Sequence, residues 1–163
     1  MTDDERTPRR ISGEPRPPAS SEVVRTRMRQ QVRSHTAPEV AARHALHVRG
    51  IRYRLHVPVP GLPRRSIDIC FAGRKVAVFI DGCFWHGCPV HATAPKSNAA
   101  WWRAKLVANR QRDTDTTAHL EKLGWLVLRF WAHESPETIA NHVQDVICAV
   151  DMANVKMRTA GGS

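Results

Sequence analysis

No stretch of this chain approaches the roughly 20 consecutive apolar residues of a membrane-spanning helix. Its opening residues, rich in Arg, Pro and acidic side chains, lack the apolar core of a secretion signal. The expected location is therefore the cytoplasm, with no membrane partner. Cysteine is scarce: only Cys70, Cys83, Cys88 and Cys148 occur, and in a reducing compartment so few thiols argue for metal ligation or plain burial against a disulfide framework. Acidic side chains are also short in number, 15 Asp and Glu against 25 Lys and Arg, leaving a formal charge of +10. That deficit predicts attraction to a polyanion, most commonly nucleic acid. Basicity of the ribosomal kind, without catalysis, is the plainer alternative. No internal repeat is visible, and 163 residues suit one domain with a real core better than two.

Residues 1–21 mix charge with Pro, Gly and Ser without apolar periodicity, which predicts a disordered leader. The Arg-rich SEVVRTRMRQQVRSH that follows reads as a helix, either a phosphate-contacting arm or a solvated face. A single domain is expected over 22–150 and a flexible tail over 151–163. Within it, Thr36 and Glu39 have the spacing of a capping box with Pro38 in the first turn, opening a helix that Gly50 can close. IRYRLHV alternates as a strand, PVPGLPRR reads as a loop, and SIDICF, AGR and KVAVFI read as a hairpin of two buried strands. A long helix runs from about Asn98 to a stop at Gly124, WLVLRFW is a further strand, and Ser135 with Pro136 opens a last helix ending near Val150. This order predicts an α/β chain with a mixed central sheet flanked by helices on both faces.

One segment concentrates reactive chemistry. DGCFWHGCPVH, Asp81 to His91, holds two cysteines, two histidines and an aromatic pair directly after the apolar VAVFI. Each residue has a bland role as core or surface, but a metal-stapled loop explains them jointly. Cys83, Cys88 and His91 have the C-x4-C-x2-H spacing that one loop can fold around an ion, with the ligand types zinc prefers. A closed site needs a fourth ligand. His133 follows WLVLRFW, whose end would meet the motif loop if that strand lay beside KVAVFI; Cys70, Cys148 and His86 compete, although the two cysteines occupy apolar positions that favour burial.

Asp68 is an ionisable group among the apolar residues of SIDIC, which is costly unless a cation or partner compensates it. Twelve residues on, Ile80 and Asp81 end the next strand, so pairing would bring two carboxylates towards one cleft suited to Mg2+. Asp81 alone also reads as an ordinary turn residue. Glu39 either completes its cap or orients metal-bound water. His86 is the natural candidate for proton transfer, because an imidazole titrates near neutrality.

These residues together resemble a known family. SIDIC, VAVFIDGCFWHGCPVH, PKSN, WW, NRQRD and GWLVLRFWAH look like the very short patch repair (Vsr) DNA mismatch endonucleases, over about Thr36 to His133. The resemblance implies a PD-(D/E)xK-like endonuclease fold, a zinc-stapled loop, and Mg2+-dependent nicking of double-stranded DNA beside a T:G mismatch left by deamination of 5-methylcytosine. Asp68 matches the family's metal-binding aspartate, Ile80 the residue whose carbonyl meets Mg2+, Glu39 the helix glutamate near the metal waters, and His86 the proton-transfer histidine. Cys83, Cys88, His91 and His133 fall at or near the zinc positions. Phe84, Trp85 and Trp102 match rings wedged into the DNA stack, with Trp101 expected to be core, and Lys96, Asn98, Asn109 and Arg112 match other DNA-binding positions. A monomer is implied, with mismatch-repair proteins as further partners.

The chain departs from the family pattern at three places. Asp81 stands where the best-known enterobacterial type has His, so the general base is either Asp81 or His86. Trp131-Ala132 replaces Trp-Glu, and LPRRSID is longer and more basic than LPGRPD, which bears on the recognition sequence. Two other readings stand beside the mismatch enzyme: a non-catalytic zinc-stabilised DNA-binding module, and a restriction-type nuclease acting on unmismatched or modified DNA.

Overall fold

The structure, a computed structural model, describes residues 36–91 and 98–160. The expected leader, the Arg-rich segment after it and Lys96 lie outside the described residues. Helix α1 spans Ala37–Val48, strand β1 Arg54–Val59, strand β2 Leu62–Phe71 and strand β3 Val76–Asp81. A single helical turn, α2, covers Cys83–His86; α3 runs Ala99–Lys122, β4 Leu126–Trp131 and α4 Pro136–Ala160. The strands form one sheet in the order β1-β2-β3-β4. The first two pairings are antiparallel and β3 with β4 is parallel. Among the described residues no helix is long and apolar enough to cross a membrane.

The unbroken apolar run of β3 has a direct cause, since this strand is covered on both faces. Val76, Val78 and Ile80 point into a cluster with Leu46 of α1 and Ile139 and Val143 of α4. Ala77 and Phe79 point the other way, to Val59, Ile67 and Leu120 of α3. Helices therefore flank the mixed sheet on both sides, as the element order predicts. Each large side chain so enclosed contributes roughly 1.5–3 kcal/mol of burial free energy.

Several local expectations are corrected. PVPGLPRR is no extended loop: the strands reach Val59 and Leu62, and Pro60-Gly61 alone turn the hairpin, with Gly61 at φ 77°. Pro58 is tolerated because β1 is an edge strand of the sheet, next to the irregularity between Pro58 and Val59. The last helix continues through Ala160, ten residues beyond Val150, so the expected tail is helical over those residues; Arg74 braces it through a forked ion pair to Asp151 at 2.7 and 2.8 Å. Cys148 is exposed, whereas Cys70 is buried as expected. Thr36 makes no side-chain cap bond, and the Glu39 side chain turns inward to Arg43 and not back to Thr36. The Ser135 cap does form, accepting the Thr138 N–H at 3.0 Å.

Topology explains the site's position. Parallel β3 and β4 end on the same edge of the sheet, in register Asp81 opposite Trp131, and Ala132 N donates to Asp81 O at 2.9 Å. The motif loop leaving β3 and the turn leaving β4 are thereby held side by side.

Candidate active site and metal centre

The β2–β3 ladder runs from Phe71 opposite Val76 to Ile69 opposite Val78 and then opens. At that opening the Asp68 side chain substitutes for a ladder bond, its Oδ2 accepting the Ile80 N–H at 2.9 Å. The arrangement fixes Asp68 against the Ile80 backbone, the pair singled out from the sequence. Burial pushes the Asp68 carboxyl from its ordinary 3.8 up to about 6; the Ile80 N–H opposes this, the charges of Glu39 and Asp81 add to it, and Arg129 opposes it again. A carboxylate so short of positive charge fits a divalent cation.

Beside it, Asp81 is held by Arg129 of β4 through two bonds, Nε to Oδ2 at 2.8 Å and Nη2 to Oδ1 at 2.6 Å. Arg129 also lies 3.3 Å from Asp113 Oδ1 and 4.8 Å over the Phe79 ring. His86 Nδ1 is 2.5 Å from Asp113 Oδ2 but 3.6 Å from Asp81 Oδ1. Its carboxylate partner is therefore Asp113, on α3. Burial disfavours the Asp113 charge, yet the His86 hydrogen bond, with His86 and Arg129 beside it, holds this carboxyl below its ordinary range. Asp113 and Arg129 were not picked out from the sequence. The one signal for Asp113 is its place in NRQRD, one helical turn beyond Asn109 and so on the same face of α3.

That α3 face carries the α2 turn. Asn109 Nδ2 donates to Trp85 O at 2.8 Å, and Arg110 donates to His86 O at 3.1 Å and to Gly87 O at 2.6 Å. Gly87 closes the turn at φ 64°, and the Arg110 guanidinium packs into the space a Cβ would occupy there, so no other residue fits without displacing it. Asn109, expected at the DNA, is instead buried and holds this backbone, with Arg112 donating to its Oδ1 at 3.4 Å. Asn98 begins α3 at φ 56° without a side-chain cap bond.

Phe84, Trp85, Trp101 and Trp102 form one aromatic cluster, with centroids 5.0 to 5.7 Å apart along its contacts. Trp102 is 8% exposed and is the buried ring. Trp101, expected as core, is only half-buried, as are Phe84 and Trp85. The two tryptophans thus exchange the burial that sequence assigned them: Trp102 backs the α2 rings.

On the far side of α2, Cys83, Cys88, His91 and His133 bring two sulfurs and two imidazole nitrogens within 4.8 Å of one another. Cys83 Sγ lies 3.2 Å and Cys88 Sγ 3.6 Å from His133 Nδ1, and Cys88 Sγ lies 3.9 Å from His91 Nδ1. Burial first, and then the adjacent Cys88 thiol, raise the Cys83 thiol above its ordinary value. A donor set of two sulfurs and two nitrogens at tetrahedral-edge spacings fits a structural zinc. Cys70, in the β-sheet core, and exposed Cys148 do not join this group.

The sequence profile of the family described as DNA mismatch endonuclease Vsr matches residues 21–91. Type II nicking enzyme V.NaeI of Lentzea aerocolonigenes is 43% identical over 137 residues, covering 82% of this chain and 78% of that protein. Type II nicking enzyme V.XorIIP of Xanthomonas oryzae pv. oryzae is 45% identical over 109 residues, 64% of this chain and 76% of that one. Type II nicking enzyme V.NmeDIP of Neisseria meningitidis serogroup C is 40% identical over 102 residues, 61% and 66% of the two chains.

Proposed function

The chain belongs to the Vsr family of DNA endonucleases, and from that premise we propose that it nicks one strand of duplex DNA beside a T:G mismatch, on a PD-(D/E)xK-like fold. The reading is carried by the convergence, at the edge of the sheet where β3 and β4 end, of Asp68 short of a counter-charge and a His86–Asp113 pair, with the aromatic cluster on the same α2 turn as His86.

Mg2+ would be held by Asp68 and the Ile80 carbonyl, with Glu39 near its waters, and when bound supplies positive charge to the phosphate oxygens. Hydrolysis adds water to phosphorus while one P–O bond to sugar breaks, so a proton must leave the water. Asp113 engages Nδ1 of His86, which leaves Nε2 to accept that proton. Asp81 is the weaker candidate for the base, because Arg129 occupies both of its oxygens. Zn2+ at Cys83, Cys88, His91 and His133 would fix both ends of the α2 loop, and so the aim of Phe84, Trp85 and His86.

His86→Ala should slow nicking about 10²- to 10⁴-fold, the range for loss of a positioned acid or base. Asp113→Asn should show a smaller loss in the same direction, measured in single turnover with Mg2+. If Asp81→Asn, with His86 intact, proved the more damaging change, the base assignment would reverse.

Mismatch preference needs a wedge. Rings inserted at a mispaired step meet the smallest unstacking cost there, and stacking on a base is worth about 1–3 kcal/mol per ring. Trp85→Ala should therefore reduce the preference for T:G over paired duplex about 5- to 150-fold at nearly unchanged thermal stability. Trp102→Ala should lower the melting temperature as well, because its ring is buried.

A second reading has its own support. The relatives are named nicking enzymes without mention of mismatches, which favours site-specific nicking of paired DNA. Nicking of paired and T:G duplexes, in Mg2+ and in EDTA, separates the two: equal rates on both substrates would reject mismatch reading, and activity in EDTA would reject the metal.

A further inference from the structure

Glu39 is joined to a polar chain of Arg43 and His56 that the chemistry above does not use. Glu39 and Arg43 occupy successive turns of α1, are both buried, and pair at 2.7 Å between Oε2 and Nη2. The same Nη2 donates its second hydrogen to His56 Nε2 at 3.1 Å. His56 sits in β1 between two regular ladder pairs, Leu55 with Ile69 and Val57 with Ile67, and so falls opposite Asp68. Its backbone has φ 48°, a left-handed conformation that is costly for a non-glycine residue inside a strand. The chain holds that conformation where its imidazole meets Arg43. On the other side of the pair, the Glu39 charge is felt at Asp68.

We infer that Arg43 and His56 are positioning residues for the metal-dependent step, a relay that fixes the Glu39 carboxylate towards the Asp68 site. The inference rests on the proposed nuclease reading. The physical reason is the direction of constraint. A glutamate has three rotatable side-chain bonds, and a carboxylate near metal-bound water is effective only in a narrow range of orientations. One guanidinium nitrogen bonded to both Glu39 and His56 of β1, the residue opposite Asp68, ties the helix carboxylate to the strand paired with the one that carries Asp68. Backbone strain at His56 is retained for that contact. Outer groups that orient a metal site in this way typically change metal affinity or activity 10- to 100-fold when altered.

The test uses the full chain, a T:G duplex and Mg2+ titration of single-turnover nicking. Arg43→Met should lower the maximal rate at least tenfold and raise the Mg2+ midpoint, while duplex affinity in EDTA stays within twofold of wild type. In a Glu39→Gln background the same substitution should cost less than twofold, because Arg43 acts through Glu39. Should Arg43→Met fail to fold, Arg43→Lys, which keeps the charge but not the planar guanidinium that bonds both partners, takes its place in the same cycle with the same expected dependence on Glu39. His56→Gly suits the observed φ and should melt no lower than wild type, yet nick at least fivefold more slowly. An equal Arg43 effect with and without Glu39, or a fully active His56→Gly, overturns the relay. Parallel loss of melting temperature, duplex affinity and rate assigns Arg43 to the fold alone and also overturns it. Wild-type chain that fails to nick either duplex rejects the nuclease reading itself, which keeps the two failures distinct.

Discussion

Asp68→Asn should abolish nicking and, at the same time, make the metal-free protein more stable at pH 8. The two effects have one cause. Asp68 is half-buried where the β2–β3 ladder opens, and burial pushes its folded carboxyl up to about 6 against an ordinary 3.8. A raised carboxyl favours the folded state in its protonated form. Its contribution is complete below about 4, is lost as pH rises through about 6, and leaves a buried charge above that. Asparagine mimics the protonated group and keeps an oxygen for the Ile80 N–H. After discounting for partial exposure, the gain is about 1–2 kcal/mol at pH 8, or a rise of about 3–10 °C in melting temperature. It should vanish near pH 4. Activity moves oppositely, since removing the carboxylate removes several kcal/mol of metal-borne charge stabilisation, about 10³-fold in rate. Melting curves in EDTA at pH 4 and 8, with nicking rates in Mg2+, check both halves. An Asp68→Asn protein that melts lower at pH 8 would mean that its charge is compensated in the free protein. Near-native turnover would remove Asp68 from the reaction.

The second large effect concerns the sulfur and nitrogen cluster. Purified wild-type chain should contain about one zinc per molecule, and Cys88→Ser should contain almost none. Cys88 is wholly buried and near both His91 and His133, so its loss leaves three ligands around an ion that structural sites bind with four. Binding free energy at such sites is also folding free energy. A fall in melting temperature of 10 °C or more is expected, with chelator producing the same fall in the wild type and none in the variant. Nicking should fail with it, because the α2 loop carries His86. His133→Ala discriminates the fourth ligand: unchanged zinc content in that variant would exclude His133. Full metal content in Cys88→Ser would dismiss the cluster as a closed zinc site.

Sequence alone was sufficient for several features that depend on neighbours along the chain. The VAVFI run announces a strand covered on both faces, Gly124 and Ser135 mark a helix end and a helix start, and C-x4-C-x2-H gathers three residues of metal-ligand type into one loop, because backbone preference, burial period and ligand spacing are local properties. Asp68 is legible for the same reason, as a charge out of place among apolar neighbours. Expectation failed where local cues had rivals in space. Thr36 and Glu39 have cap spacing, but a buried guanidinium one turn on offers Glu39 a stronger partner. Trp101 and Trp102 are identical in type, and only the rotation of α3 against the α2 turn decides which one is enclosed.

Only the tertiary structure could pair His86 with Asp113, 27 residues away, and Asp81 with Arg129 at 48. Each pairing depends on the parallel register of β3 and β4 and on the seat of α3 across them. A basic, histidine-rich chain offers many electrostatically equivalent partners for every carboxylate. Hydrogen bonds discriminate among them over tenths of an ångström, a scale that sequence spacing does not encode and that packing of the whole sheet does.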